Sequence, residues 1–253
     1  MLRKQSTPPC FARLNHFATL RFWRVAILLA VFGLRAASAG AADIFDATAD
    51  YSITNNPNGV WSSGYKSTLS SAFVVYDQTG YVANSYSYWN SSTASNQEPI
   101  GAMNFYKNFS NAPIYGLDPN MIALHPGPLN QYSILRFTAP KTASYYLQLQ
   151  FFAGNTGDTD GYAILNDNSA NPLFYAITTN PSPTFSSFLN LNLGDFVDVV
   201  VGSKGDYYYG TTPITVVFTE QAVPEPQSVM LGLFAAGAMA AITRRRNGRQ
   251  LGA

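Results

Sequence analysis

Between residues 43 and 220 the chain never sustains an apolar period of 3.6 residues over a useful length, so helices are not the units it is built from. It offers instead short runs of aromatic and β-branched residues, broken by Asn, Gly, Pro, Ser and Thr. Eleven such runs predict strands: 59–65, 71–77, 101–107, 121–125, 132–138, 143–152, 161–166, 173–178, 184–191, 196–201 and 213–220. In 143–152, Tyr145, Leu147 and Leu149 fall on one face and Gln148 and Gln150 on the other, the period of a half-buried strand. Short strands separated by turn residues predict an all-β fold, a single β-sandwich of jelly-roll type spanning 43–220. That length suffices for one domain with its own core. The stretch 78–130 is the least regular, rich in Asn, Ser, Pro and Tyr, and predicts long loops of the kind that carry function.

The two ends have a different character. Arg3, Lys4, Arg13, Arg21 and Arg24 precede an apolar segment at 25–34, and Ala37-Ser38-Ala39 fits the small-residue cleavage rule. Residues 1–39 therefore predict a signal peptide whose cleavage is specified by Ala37 and Ala39, with the mature chain beginning between Gly40 and Asp43, the alternative being an uncleaved anchor. At the other end stand Val223, Pro224, Glu225 and Pro226, an apolar run at 229–242, then Arg244, Arg245 and Arg246. The prolines hold the backbone extended and remove two donors, which keeps the segment out of any sheet. The apolar run is shorter than the roughly 20 residues that span a bilayer comfortably. The arginines compensate, because they stay on the cytoplasmic side and stop transfer. A transmembrane helix with the bulk of the chain outside is the expected arrangement.

This order of motif, apolar helix and basic end, over 221–253, resembles the PEP-CTERM sorting signal of Gram-negative bacteria. The resemblance implies a partner, the membrane-embedded exosortase, which cuts near the motif and releases or re-attaches the protein outside. It implies a cell-surface or extracellular product, transiently anchored in the inner membrane. Gln227 stands where a small residue is expected, which bears on the place of the cut; the alternative is an anchor never cut. Residues 124–128, 132–140 and 193–202, with Gly205-Asp206-Tyr207, resemble exported β-sandwich domains of other PEP-CTERM proteins, similar in architecture to lectin or carbohydrate-binding modules. That second resemblance implies fold and setting only.

Thirteen of the fourteen acids lie between Asp43 and Glu220, against five cations, Lys66, Lys107, Arg136, Lys141 and Lys204, so the body carries a net charge of −8. Nucleic acid is excluded as a partner, since phosphate contacts need a basic surface. The only cysteine, Cys10, lies in the signal peptide, so the body has neither disulfide nor thiol chemistry.

Past the signal peptide there is one histidine, His125, followed by proline, and there is no Gly-x-Ser-x-Gly elbow for a catalytic triad. His125 reads as a turn or strand-end residue. Glu98 and Glu220 are the only glutamates of the body, one beside Pro99 and one at its end, so a glycosidase pair would have to come from aspartates. No cofactor is required. The single metal candidate is a loose Ca²⁺ cage of Asp158, Asp160 and Asp167, weighed against a polar hairpin whose Asp and Gly residues satisfy the turn. Tyr86, Tyr88 and Trp89 form an aromatic stretch in the irregular region, where an exposed platform would stack sugar rings; the competing reading is core packing. The sequence thus predicts an exported, non-catalytic surface or matrix protein whose partners are extracellular polysaccharide or matrix proteins. A secreted polysaccharide-active hydrolase of β-sandwich type is the alternative.

Overall fold

The computed structural model describes residues 42–93, 103–178 and 182–221, all within one unit, Ala41–Val223. The expected signal cleavage site at Ala37 and Ala39, the motif Val223 to Pro226, the membrane helix and Arg244 to Arg246 lie outside these residues.

The described chain is all β, in two antiparallel sheets. The larger combines β1 (Ile44–Asp46), β4 (Gln78–Val82), β5 (Tyr86–Asn90), β6 (Asn104–Asn108), β7 (Ile122–His125), β9 (Ala143–Phe151), β12 (Thr184–Leu191) and β14 (Thr212–Glu220). Its order is β12-β9-β14-β7-β6-β5-β4, with β1 also pairing to β14. The smaller holds β2 (Trp61–Lys66), β3 (Val74–Val75), β8 (Tyr132–Thr138), β10 (Asp160–Leu165), β11 (Phe174–Ile177) and β13 (Phe196–Gly202), in the order β11-β10-β13-β8-β2-β3. From β7 onward the chain crosses between sheets at nearly every step, which gives the jelly-roll-like sandwich its long-range pairings.

The core sits between the sheets and follows from the period of two. Tyr145, Leu147, Leu149 and Phe151 of β9 with Ile214, Val216 and Phe218 of β14 face Leu135 and Phe137 of β8 and Val197, Val199 and Val201 of β13. Phe137 and Phe218 stack across the gap at 3.9 Å between ring centroids. Strand β13 reads as an almost continuous apolar run because both of its faces are covered. Its outer side packs Val200 with Ile134 and Ile164 beneath Leu69 and Phe73 of the β2–β3 connection. Phe73 comes so close to β2 that only glycine fits at Gly64, where a Cβ would collide with its ring and with the Val74 carbonyl.

The stretch 78–130 departs from expectation. It contributes four strands, and two of them, β4 and β5, form where the local pattern predicts loop. Their cross-strand partners supply what local pattern lacks: Gly80 is a poor strand former, yet β4 pairs along its whole length with β5. In the opposite sense, the predicted strand 71–77 shrinks to Val74–Val75, because its first residues fold over the sheet. Strand β1 has no counterpart in the sequence reading and is held by pairing to β14.

Candidate functional site

Half of the outer face of the larger sheet is covered. The segment between β6 and β7 lays Leu117, Ile114 and Met121 over Tyr86, Tyr106 and Ala123. Asn108 fixes that segment by donating from Nδ2 to the carbonyls of Ala112 and Leu117, each at 2.9 Å.

The other half, over β12, β9 and β14, is bare among the described residues. Register places three rows across it: Thr184, Gln150 and Thr215; Ser186, Gln148 and Val217; and Phe188, Tyr146 and Thr219. Adjacent rows are about 7 Å apart along the strands. All of these residues except Phe188 and Thr219, which stand at its end, line an open cleft of about 340 Å³. Phe188, 63% exposed, packs against Tyr146 with ring centroids 4.7 Å apart. The two glutamines stand on the polar face of β9 because Leu147, Leu149 and Phe151 are committed to the core. Among the described residues no carboxylate, imidazole or cation lines the cleft. Amides and hydroxyls that both donate and accept, beside aromatic faces, suit an uncharged polyhydroxylated ligand. Tyr146 is the one titratable side chain among them.

The aromatic stretch expected to form a platform does not form one. Tyr86 lies under the β6–β7 segment at 4% exposure, and Tyr88 packs half-buried in the same cluster. Trp89 points into the main core at 8% exposure and donates from Nε1 to the Ser52 carbonyl at 2.6 Å. Strand formation is the reason: alternation sends Trp89 inward, and the overlying segment buries the ring that alternation sends outward. Among the described residues the exposed aromatic rings are elsewhere, at Tyr81, Phe109, Tyr115, Tyr175, Phe188, Tyr208 and Tyr209.

The carboxylates expected to cage Ca²⁺ are likewise kept apart. Asp160 opens β10 and Asp167 follows its end, so the extended strand between them separates the two backbones by about 20 Å. Each carboxylate has a different partner: Asp158 takes the Lys204 ammonium at 3.2 Å, Asp160 the Tyr162 hydroxyl at 2.7 Å, and Asp167 the ammonium of Lys66 at 2.5 Å and Arg136 at 3.3 Å. Among the described residues no three metal-ligating side chains converge.

His125 ends β7, as its neighbour Pro126 suggested. It is 2% exposed, its Nδ1 donates to the Pro126 carbonyl at 2.8 Å, and burial lowers its pKa to about 4. Glu220 ends β14, where it pairs with Lys141 at 2.8 Å. Sequence reasoning singled out the Gln148 and Gln150 face of β9 but missed Phe188, Ser186, Thr184 and Thr215. Their joining it depends on which strands flank β9.

Fold and cleft define a class: an all-β sandwich with an uncharged cleft on one sheet face. The chain carries the PEP-CTERM protein-sorting motif, matched over residues 222–246, and is an exported protein sorted through the membrane. No curated protein sequence matches it. Among solved structures it is similar to a family 35 carbohydrate binding module from Clostridium thermocellum, at 18% identity over 38% of this chain and 76% of that one, TM-score 0.27. It is also similar to a CBM4 structure, at 14% identity over 74% of this chain and 91% of that one, TM-score 0.24. A third is the Podospora anserina GH26-CBM35 β-(1,4)-mannanase, at 10% identity over 59% and 28%, TM-score 0.28. At such scores these likenesses transfer no ligand and no residue role.

Proposed function

We propose that the protein is a non-catalytic, exported binding protein for neutral extracellular polysaccharide, held by the cleft over β12, β9 and β14. The observation that carries this reading is the composition of the cleft: two glutamine amides and the three hydroxyl side chains of Thr184, Ser186 and Thr215 beside the Tyr146–Phe188 pair, with no charge among them. A net charge of −8 on the body disfavours uronate polymers, which leaves neutral sugars as the matching class. Hydrolysis would require a carboxylate pair across the bound sugar, and the cleft presents none.

The test is binding of purified full-length protein to an array of neutral and uronate glycans. Tyr146→Ala and Gln148→Ala are each expected to weaken the neutral interaction roughly tenfold, the scale of a lost ring contact or of one or two lost hydrogen bonds. Unaltered affinity in both variants would remove the cleft from the reading.

Delivery to the polysaccharide is assigned to the C-terminal signal: transient anchoring in the inner membrane, then exosortase cleavage near Pro226. In the native host, Glu225→Ala is expected to leave an uncut, membrane-held chain, read by intact mass and fractionation. A variant processed like the parent would show that the glutamate is not what the peptidase reads.

A further inference from the structure

The outer face of the smaller sheet carries a second aromatic surface, pointing away from the first. The β2–β3 connection covers one side of this face and leaves the β10–β11 side open. There, register sets Tyr175 of β11 directly beside Tyr162 of β10, with ring centroids 4.9 Å apart. Tyr132 of β8 stands on the far side of Tyr162, edge to face at 6.3 Å. Tyr132 and Tyr162 rest half-buried against Ile134, Ile164 and Val200, while Tyr175 is 53% exposed. Two rings are thus seated on a packed floor and a third is presented at the edge.

Asp160, two residues before Tyr162 on the same face of β10, is 8% exposed. Its Oδ2 accepts from the Tyr162 hydroxyl, and its Oδ1 has no hydrogen-bond partner. Burial, together with the adjoining carboxylate, pushes the Tyr162 hydroxyl well above the usual phenol range, so it stays a donor. Asp160 Oδ1 and the edge of the Tyr132 ring both occupy the space that a side chain at position 202 would fill, so only glycine there lets carboxylate and ring lie side by side. A buried carboxylate oxygen with no donor costs free energy that a ligand hydroxyl reaching it beside the Tyr132 ring would recover.

We propose that Tyr175, Tyr162, Tyr132 and Asp160 form a second sugar-binding platform, for a neutral pyranose, on the face opposite the cleft. The rings supply stacking surface, and the carboxylate accepts from hydroxyls and repels uronates. The platform stands on its own observations; its consequence, that one domain bridges two polysaccharide chains, rests also on the cleft reading. Because the two outer faces of a sandwich point in opposite directions, both sites can be filled at once.

The experiment is calorimetric titration of the full-length protein with hexasaccharides of β-1,4-glucan, β-1,4-mannan and β-1,4-galactan, followed by light scattering with the matching long polymers. The parent is expected to bind two hexasaccharides and to cross-link polymer. Tyr175→Ala and Asp160→Asn should each weaken one site about tenfold or more, leave the other intact and abolish cross-linking; Tyr146→Ala should do the converse. Tyr175 is on the surface, so its loss leaves the core untouched. One site, insensitive to Tyr175→Ala and Asp160→Asn, would overturn the platform while sparing the cleft. One site lost in Tyr175→Ala but kept in Tyr146→Ala would uphold the platform and overturn both cleft and bridging. Absence of binding to all three sugars would overturn both sites.

Discussion

Replacing Asp198 with alanine is expected to lower the unfolding free energy by about 3–5 kcal/mol, the cost of stranding a buried charge partner. For a domain of this size that corresponds to a melting temperature lower by roughly 10 °C. Asp198 has no exposed side-chain surface and is shared between two cations. Lys66, whose side chain is only 1% exposed, reaches it with Nζ at 3.0 Å, and Arg136 grips both oxygens, with Nε at 2.6 Å and Nη2 at 2.9 Å. The guanidinium is held between the Phe73 and Phe196 rings, 4.2 and 3.7 Å from their centroids, so it cannot swing out to water without losing both. Strands β2, β8 and β13 are thereby stapled on their outer side through one carboxylate. Without it, Lys66 keeps only Asp167, whose side chain is 51% exposed. The control is Asp167→Ala, which removes an exposed partner of the same cations and should cost about 1 kcal/mol or less. Equal losses in the two variants, measured by denaturant titration, would show that burial of Asp198 is not the source of the effect.

The second large effect is an acid lability carried by one imidazole. Buried His125 has its pKa lowered to about 4 by desolvation, while an unfolded histidine titrates near 6.5. Between those values the unfolded chain binds one more proton than the folded chain, so stability rises with pH. The full contribution is present above pH 6.5 and is lost as the pH falls toward 4, a change of about 3 kcal/mol. Hydrogen bonds from Ser92 hold Asp77, and one from the Asn192 amide holds Asp195, below the usual carboxylate range. Their protonation therefore comes at lower pH than this window. His125→Gln, which keeps a donor for the Pro126 carbonyl, should flatten the stability profile between pH 6.5 and 4. A fall of the same size in the variant would assign the lability to other groups.

How far each feature could be read from sequence depended on whether its cause was local. Strands 132–138 and 184–191 were bounded correctly because apolar and β-branched runs, punctuated by turn residues, are local signals. The Gln148 and Gln150 face of β9 was legible for the same reason. Tyr86 to Asn90 shows the limit. Its aromatic content is plain in the chain, but its burial is imposed by the core on one side and by residues some 30 positions further along on the other. The charge staple was invisible, since Lys66, Arg136 and Asp198 lie on three separate strands whose adjacency follows from sheet order.

By itself the sequence determined that the chain is β-built, that its body is acidic and that its C-terminus carries a sorting motif. Each is a property of composition or of residues a few positions apart. Tertiary structure alone decided which half of each sheet face stays bare, which rings reach solvent and where the carboxylates go. Side-chain exposure in a sandwich depends on which strands are neighbours and which loops fold over them, and those contacts join residues tens to more than a hundred positions apart.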